Sequence, residues 1–129
     1  MAEKEAVRTE EAPAPFQGAP YSQAIKAGGL VFVSGQVALV PGATEPVGSD
    51  VGEQTEQVLA NLRAILEAAG SSLERVVKTT VYLTNLDDFQ AMNDMYRTHV
   101  GEVPPARATV EVSALPSGAL VEIDAIALA

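Results

Sequence analysis

The sequence predicts an α+β domain: strands and helices in the order β-β-α-β-α-β-β, with two helices on one face of a single mixed sheet. Three observations carry this. A long amphipathic stretch from Asp50 to Gly70 has helical spacing, a run from Val76 to Thr84 is rich in β-branched residues, and two alternating runs close the chain between Arg107 and Leu128. With 129 residues, 47% apolar and 19% charged, one domain can bury a core without metal or disulfide staples.

Residues 1–15 combine Ala, Glu and Pro with little to bury and are expected to form a disordered tail, leaving 16–129 as the domain. Deleting the first 13 or so would then leave stability unchanged. Tyr21 to Ala27 and Leu30 to Val37 read as strands, joined by Gly28-Gly29, which suits a two-residue turn with positive φ. Ser34, Gly35 and Gln36 interrupt the second strand, and Gly35 would let a backbone or ligand come close.

After a Pro/Gly loop from Ala38 to Ser49, Asp50 and Glu53 form a capping pattern at the head of the first helix. Val51, Thr55, Val58, Leu59, Leu62, Ile65, Leu66 and Ala69 follow one face until Gly70. The second helix is expected over Asp87 to Val100, capped by Asp87, with Phe89, Met92, Tyr96 and Val100 as its buried stripe and Asn93 on the same side. In the last quarter, Arg107, Thr109, Glu111 and Ser113 share one strand face, and Ala108, Val110 and Val112 the buried one. Glu122 and Asp124 alternate with Leu120, Ile126 and Leu128, so at least one carboxylate is threaded through an apolar stripe and needs a partner. With helices on one sheet face only, the other is left for a second copy of the chain.

Charge and composition exclude several function classes. A net charge of −9 argues against nucleic acid, and the absence of cysteine removes disulfides and thiol nucleophiles and fits a cytoplasmic setting. No stretch is long and apolar enough to be a membrane span, and the single His99, at a helix end, cannot build a His-based metal site. Arg107, fixed at its strand entry by Pro104-Pro105, has the fork geometry for a carboxylate. It would either pair structurally with Glu111 or Glu122, or hold with Glu122 a small anionic substrate.

Motifs add a likeness that spacing alone does not give. PYSQAI, VFVSGQV, NLRAILEAAG, VVKTTVYLTNLDDF, MNDMY, PPAR, ALP and VEIDAIA occur in that order between Ala14 and Leu128, and the chain resembles the reactive-intermediate deaminase A (YjgF) family. The resemblance implies a chorismate-mutase-like domain in a homotrimeric barrel with clefts between subunits. It implies hydrolysis of 2-imino and enamine acids to 2-oxo acids and ammonia without a cofactor or metal. Arg107 would hold the substrate carboxylate and Glu122 would orient or activate the attacking water. Tyr21, Ser34, Gly35 and Asn93 would line the pocket, some from a neighbouring subunit. Thr109 stands where such deaminases commonly carry Cys, so this substrate-side position offers a hydroxyl instead. Two other readings stay open: a non-catalytic carboxylate-binding trimer, and a hydrolase of a related aminoacrylate intermediate.

Overall fold

The computed structural model describes residues 3–129. Two helices pack on one face of a mixed six-stranded sheet of order β1-β2-β3-β6-β4-β5. The strands are β1 (Glu5–Val7), β2 (Ala24–Ala27), β3 (Leu30–Gln36), β4 (Val76–Leu83), β5 (Ala106–Glu111) and β6 (Val121–Leu128); the helices are α1 (Val51–Ala68) and α2 (Phe89–Tyr96).

The β2–β3 hairpin forms as expected, with Gly28 and Gly29 at φ 61° and 79° closing the turn after the Ala27–Leu30 pair. α1 starts where its sequence says: the Asp50 carboxylate accepts from the Glu53 amide at 2.9 Å, and Gly70 leaves the helix at φ 83°. Its buried face, Val58, Leu59, Leu62, Ile65 and Leu66, packs into one core with Val31, Val33, Val81, Leu83, Val121 and Ile123 of the sheet. Each of these large side chains contributes about 1.5–3 kcal/mol of burial. Polar positions on α1 pin the surrounding loops. Asn61 donates to the carbonyls of Val37 and Leu39 at 3.2 and 2.8 Å, and Gln54 accepts from the Leu120 amide at 2.8 Å.

Three expectations are corrected. The first concerns the tail, which from Glu5 onward is built into the fold; Met1 and Ala2 lie outside the described residues. β1 pairs antiparallel with β2, Val7 and Ala12 are buried, and the Gln23 amide is bonded to the backbone of the segment that follows. Gln23 accepts from the Thr9 amide at 2.8 Å and donates to the carbonyls of Thr9, Ala12 and Pro13 at 3.0, 3.2 and 2.8 Å. The stretch is held by backbone and one amide side chain, a signal that apolar content does not carry. Gln23→Ala is therefore expected to cost about 2–4 kcal/mol, the loss of several hydrogen bonds at once. The check is denaturant unfolding, together with faster hydrogen exchange at Thr9. The idea that the first 13 residues can be deleted without loss gives way with it.

The second correction is in the faces of β5, and it comes from the strand pairing. β5 and β6 do not form a hairpin: β6 inserts between β3 and β4, antiparallel to both, and β5 runs parallel to β4 at the sheet edge. Glu111 lies opposite Leu83 and Glu122 opposite Tyr82, so the two carboxylates do not face each other as a tight hairpin over Leu115 to Gly118 would have made them do. The faces of β5 also invert. Arg107 and Thr109 stand opposite Thr79 and Val81 on the helix side, while Ala108 and Val110 lie on the open side, with Val110 41% exposed.

The third lies in the second helix. α2 is shorter than expected, preceded by a 3-10 turn at Leu86–Asp88, and the cap is the Asn85 side chain, which accepts from the Asp87 amide at 2.9 Å. Met92 and Tyr96 are buried, but Phe89 is 40% exposed.

Candidate functional site

The sheet sorts the expected site residues into two groups on opposite faces. On the helix side, at the outer edge of the sheet, Arg107 lies beneath α2. Its Cζ sits 4.9 Å from the centre of the Tyr96 ring and 5.5 Å from that of Phe89. Such stacking holds a guanidinium in place while leaving its N–H groups free in the ring plane. Tyr96 is itself fixed by a 2.8 Å hydrogen bond between its hydroxyl and that of Thr79, the residue across the strand from Arg107. The structural alternative for Arg107 fails on geometry. Glu111 is engaged elsewhere, accepting from the Leu86 amide at 2.9 Å, and Glu122 is on the other face. Among the described residues Arg107 makes no ion pair.

Two further expected residues join this group. Thr109 follows Arg107 on the same face of β5. Asn93 lies one turn from Phe89 and from Tyr96 on the face of α2 that covers Arg107. Their side-chain oxygens, Asn93 Oδ1 and Thr109 Oγ1, are buried and have no hydrogen-bond partner among the described residues.

The second group surrounds Glu122 on the open face. Its carboxylate lies against Gly35, where β3 bulges away from β6 and a Cβ would run into the carboxyl group. A cavity of about 50 Å³ beside it is lined by Phe16, Tyr21, Gly35, Leu39, Pro116 and Glu122, with Pro13 and Ala14 of the stapled N-terminal segment closing one side. The Tyr21 hydroxyl accepts from the Phe16 amide at 2.7 Å and so holds that wall. Burial, and then the neighbouring Asp124 charge, push the Glu122 carboxyl above the usual carboxylate range. Asp124 in turn accepts from the Tyr82 hydroxyl at 2.9 Å; that bond and burial raise the Tyr82 phenol.

Tyr21, Gly35 and Glu122 are thus brought together, and Arg107, Asn93 and Thr109 together, but the two groups are not joined within one chain. Ser34 is bound within the fold: its hydroxyl donates to the Ser22 carbonyl at 2.6 Å. Sequence reading missed Phe16 as a cavity wall and the two rings that flank Arg107. The i, i+7 spacing of Phe89 and Tyr96 was the available signal, and it reads equally well as a core stripe. Among the described residues no cluster of three or more His, Cys, Asp or Glu is placed to hold a metal ion, and no helix is long and apolar enough to cross a membrane.

Comparison with known proteins gives a consistent answer. The family model described as Endoribonuclease L-PSP matches residues 9–129. A RutC family protein of Pyrococcus horikoshii is 53% identical over 124 residues, covering 96% of this chain and 97% of that protein. Reactive Intermediate Deaminase A, chloroplastic, of Arabidopsis thaliana is 48% identical over 124 residues, 96% of this chain and 65% of that protein. The crystal structure of a protein of the conserved Rid family from Yersinia pestis superposes with a TM-score of 0.92 at 44% identity, covering 98% of this chain and 100% of that one.

Proposed function

This chain belongs to the Rid (RutC) family, and from that premise we propose that it hydrolyses reactive 2-imino and enamine acids, of the 2-iminobutanoate and 2-aminoacrylate type, to 2-oxo acids and ammonia. Family membership supports imine or enamine deamination in general; the choice of small 2-imino acids rests on the site. The observation that carries it is Arg107: a guanidinium held between two rings, bearing no ion pair among the described residues, beside two unpartnered polar oxygens. That is a receptor for a small carboxylate.

The reaction asks little of the protein. An enamine first takes a proton at C3 and becomes the imine. Water then adds to C2 as Glu122 accepts its proton, the nitrogen is protonated, and the tetrahedral intermediate expels ammonia and leaves the 2-oxo acid. The imine is already electrophilic, so positioning and proton transfer suffice and no cofactor is called for. The upward shift of Glu122, caused by burial and then by the Asp124 charge, makes its carboxylate a stronger base than an exposed one.

Because Arg107 and Glu122 occupy opposite faces of the sheet, the working site is built from two copies, with Arg107, Asn93 and Thr109 of one chain meeting Tyr21, Gly35 and Glu122 of the next. The open face supplies the contact surface: Phe32 and Leu128 stand 42% and 44% exposed there. We propose the homotrimer that the family resemblance implies, acting on a small molecule in the cytoplasm. The family model's endoribonuclease description is not adopted. With 8 Lys and Arg against 17 Asp and Glu, the chain offers little attraction to a phosphate backbone.

The test generates 2-iminobutanoate in situ with an amino-acid oxidase and traps it with semicarbazide. The expected result is catalytic loss of the trapped adduct when the protein is present, and a trimer on sedimentation. An unchanged adduct yield overturns the deaminase reading, and a monomer at micromolar concentration overturns the shared site.

A further inference from the structure

We infer that the surroundings of Arg107 select a ligand bearing an N–H beside its carboxylate and reject the 2-oxo acid that deamination releases, with Asn93 as the residue that reads the difference. The inference rests on the reading above, in which Arg107 receives the carboxylate.

Buried amides elsewhere among the described residues are bonded into the fold. Gln23 staples the N-terminal segment, Asn61 pins two loop carbonyls and accepts from Gln57 at 2.9 Å, and Gln54 caps the approach to β6. Against that pattern, Asn93 Oδ1 and Thr109 Oγ1 are the buried side-chain polar atoms among the described residues that lack a partner. Both belong to the surroundings of one guanidinium. Thr109 shares the face of β5 with Arg107, and Asn93 stands on α2 between Phe89 and Tyr96, the rings that flank it. A buried acceptor left unmet costs about 1–3 kcal/mol, and two at one spot mark a place where a ligand supplies what the protein does not.

The chemistry of the three groups fixes what that ligand carries. Guanidinium only donates, and a threonine hydroxyl can donate, so Arg107 and Thr109 together take the carboxylate. An amide oxygen only accepts, so Asn93 Oδ1 requires a donor near the carboxylate. A 2-imino acid offers its C=N–H and an enamine its NH₂ at that place. A 2-oxo acid puts a carbonyl oxygen there, and two acceptors face each other. Asn93 therefore favours substrate over product, and hydrolysis itself removes the hydrogen bond that held the molecule.

Pyrrole-2-carboxylate and furan-2-carboxylate test this with stable, planar, nearly isosteric probes that differ in presenting N–H or a ring oxygen beside the carboxylate. Calorimetry on the full chain is expected to give a pyrrole-2-carboxylate Kd at least about tenfold below that of furan-2-carboxylate, the size of discrimination a single buried hydrogen bond provides. In Asn93→Ala the two values converge to within about twofold. The ratio is what matters, since a purely structural role for Asn93 would weaken both probes alike. Equal Kd values in the wild type, a preference for the furan, or an unchanged ratio in Asn93→Ala overturns the inference and leaves the carboxylate site standing. Failure of both probes to bind the wild type overturns the carboxylate site, and the inference with it.

Discussion

Arg107→Ala is expected to lower kcat/KM for imine hydrolysis by a hundredfold or more while the chain stays folded. A bidentate guanidinium–carboxylate contact contributes about 1.5–3 kcal/mol for each charged hydrogen bond, so losing both reaches roughly 3–6 kcal/mol. Folding should tolerate the change because Arg107 holds up nothing else: it forms no ion pair among the described residues, and Tyr96 keeps its bond to Thr79 without it. Arg107→Lys should rescue little, since an ammonium lacks both the fork and the planar stacking surface. The measurement is the semicarbazide-trap assay run beside thermal unfolding. Wild-type turnover in Arg107→Ala would remove the carboxylate receptor from the reaction.

Glu122→Gln should have the second largest effect, a fall of about 10²–10⁴ in kcat with KM little changed, as befits loss of a proton-transfer group and not of a binding contact. Its pH signature separates it further. Burial and Asp124 raise the carboxyl in the folded chain, so its contribution to stability is fully present below the ordinary carboxylate range and is lost as pH rises through the raised value. The base form is the one that activates water, so kcat/KM climbs over the window in which stability declines. Glu122→Gln should flatten both curves and be more stable than the wild type at neutral pH, readable from paired melting and rate profiles. A rate profile unaltered in the variant would assign the proton transfer elsewhere.

How far these features could be read from sequence depends on whether the interactions are local. Asp50, the apolar face of α1 and Gly70 announce a helix because cap, face and stop lie within one stretch, and the β2–β3 hairpin is written in Gly28-Gly29. The strand order is not local. Leu115 to Gly118 looks like a hairpin turn, yet β6 finds its partners in β3 and β4, strands far back in the chain, and β5 turns to the parallel partner β4. Alternation alone put Ala108 and Val110 on the buried side, because it shows which residues share a face and not which face meets the helices. At the site, the PPAR motif singled out Arg107, which the fold sets against two rings of α2, and the alternation of Glu122 with apolar residues marked a carboxyl under desolvation. The division of the two between opposite faces follows only from the register, in which Arg107 sits opposite Thr79 and Glu122 opposite Tyr82.

The place of β6 has a consequence for how the molecule is made. Of the six strands, the one latest in the chain is the one that lies inside the sheet, bridging β3 to β4. Until Val121–Leu128 has emerged, the two halves share no strand contact, and each shows an open edge to the cell. The sheet therefore closes only once β6 has been made, in one late step of long sequence separation. A nascent chain stalled short of Val121 holds α1 and the hairpin but no finished domain, and loss of the eight residues Val121–Leu128 is far more damaging than their number suggests.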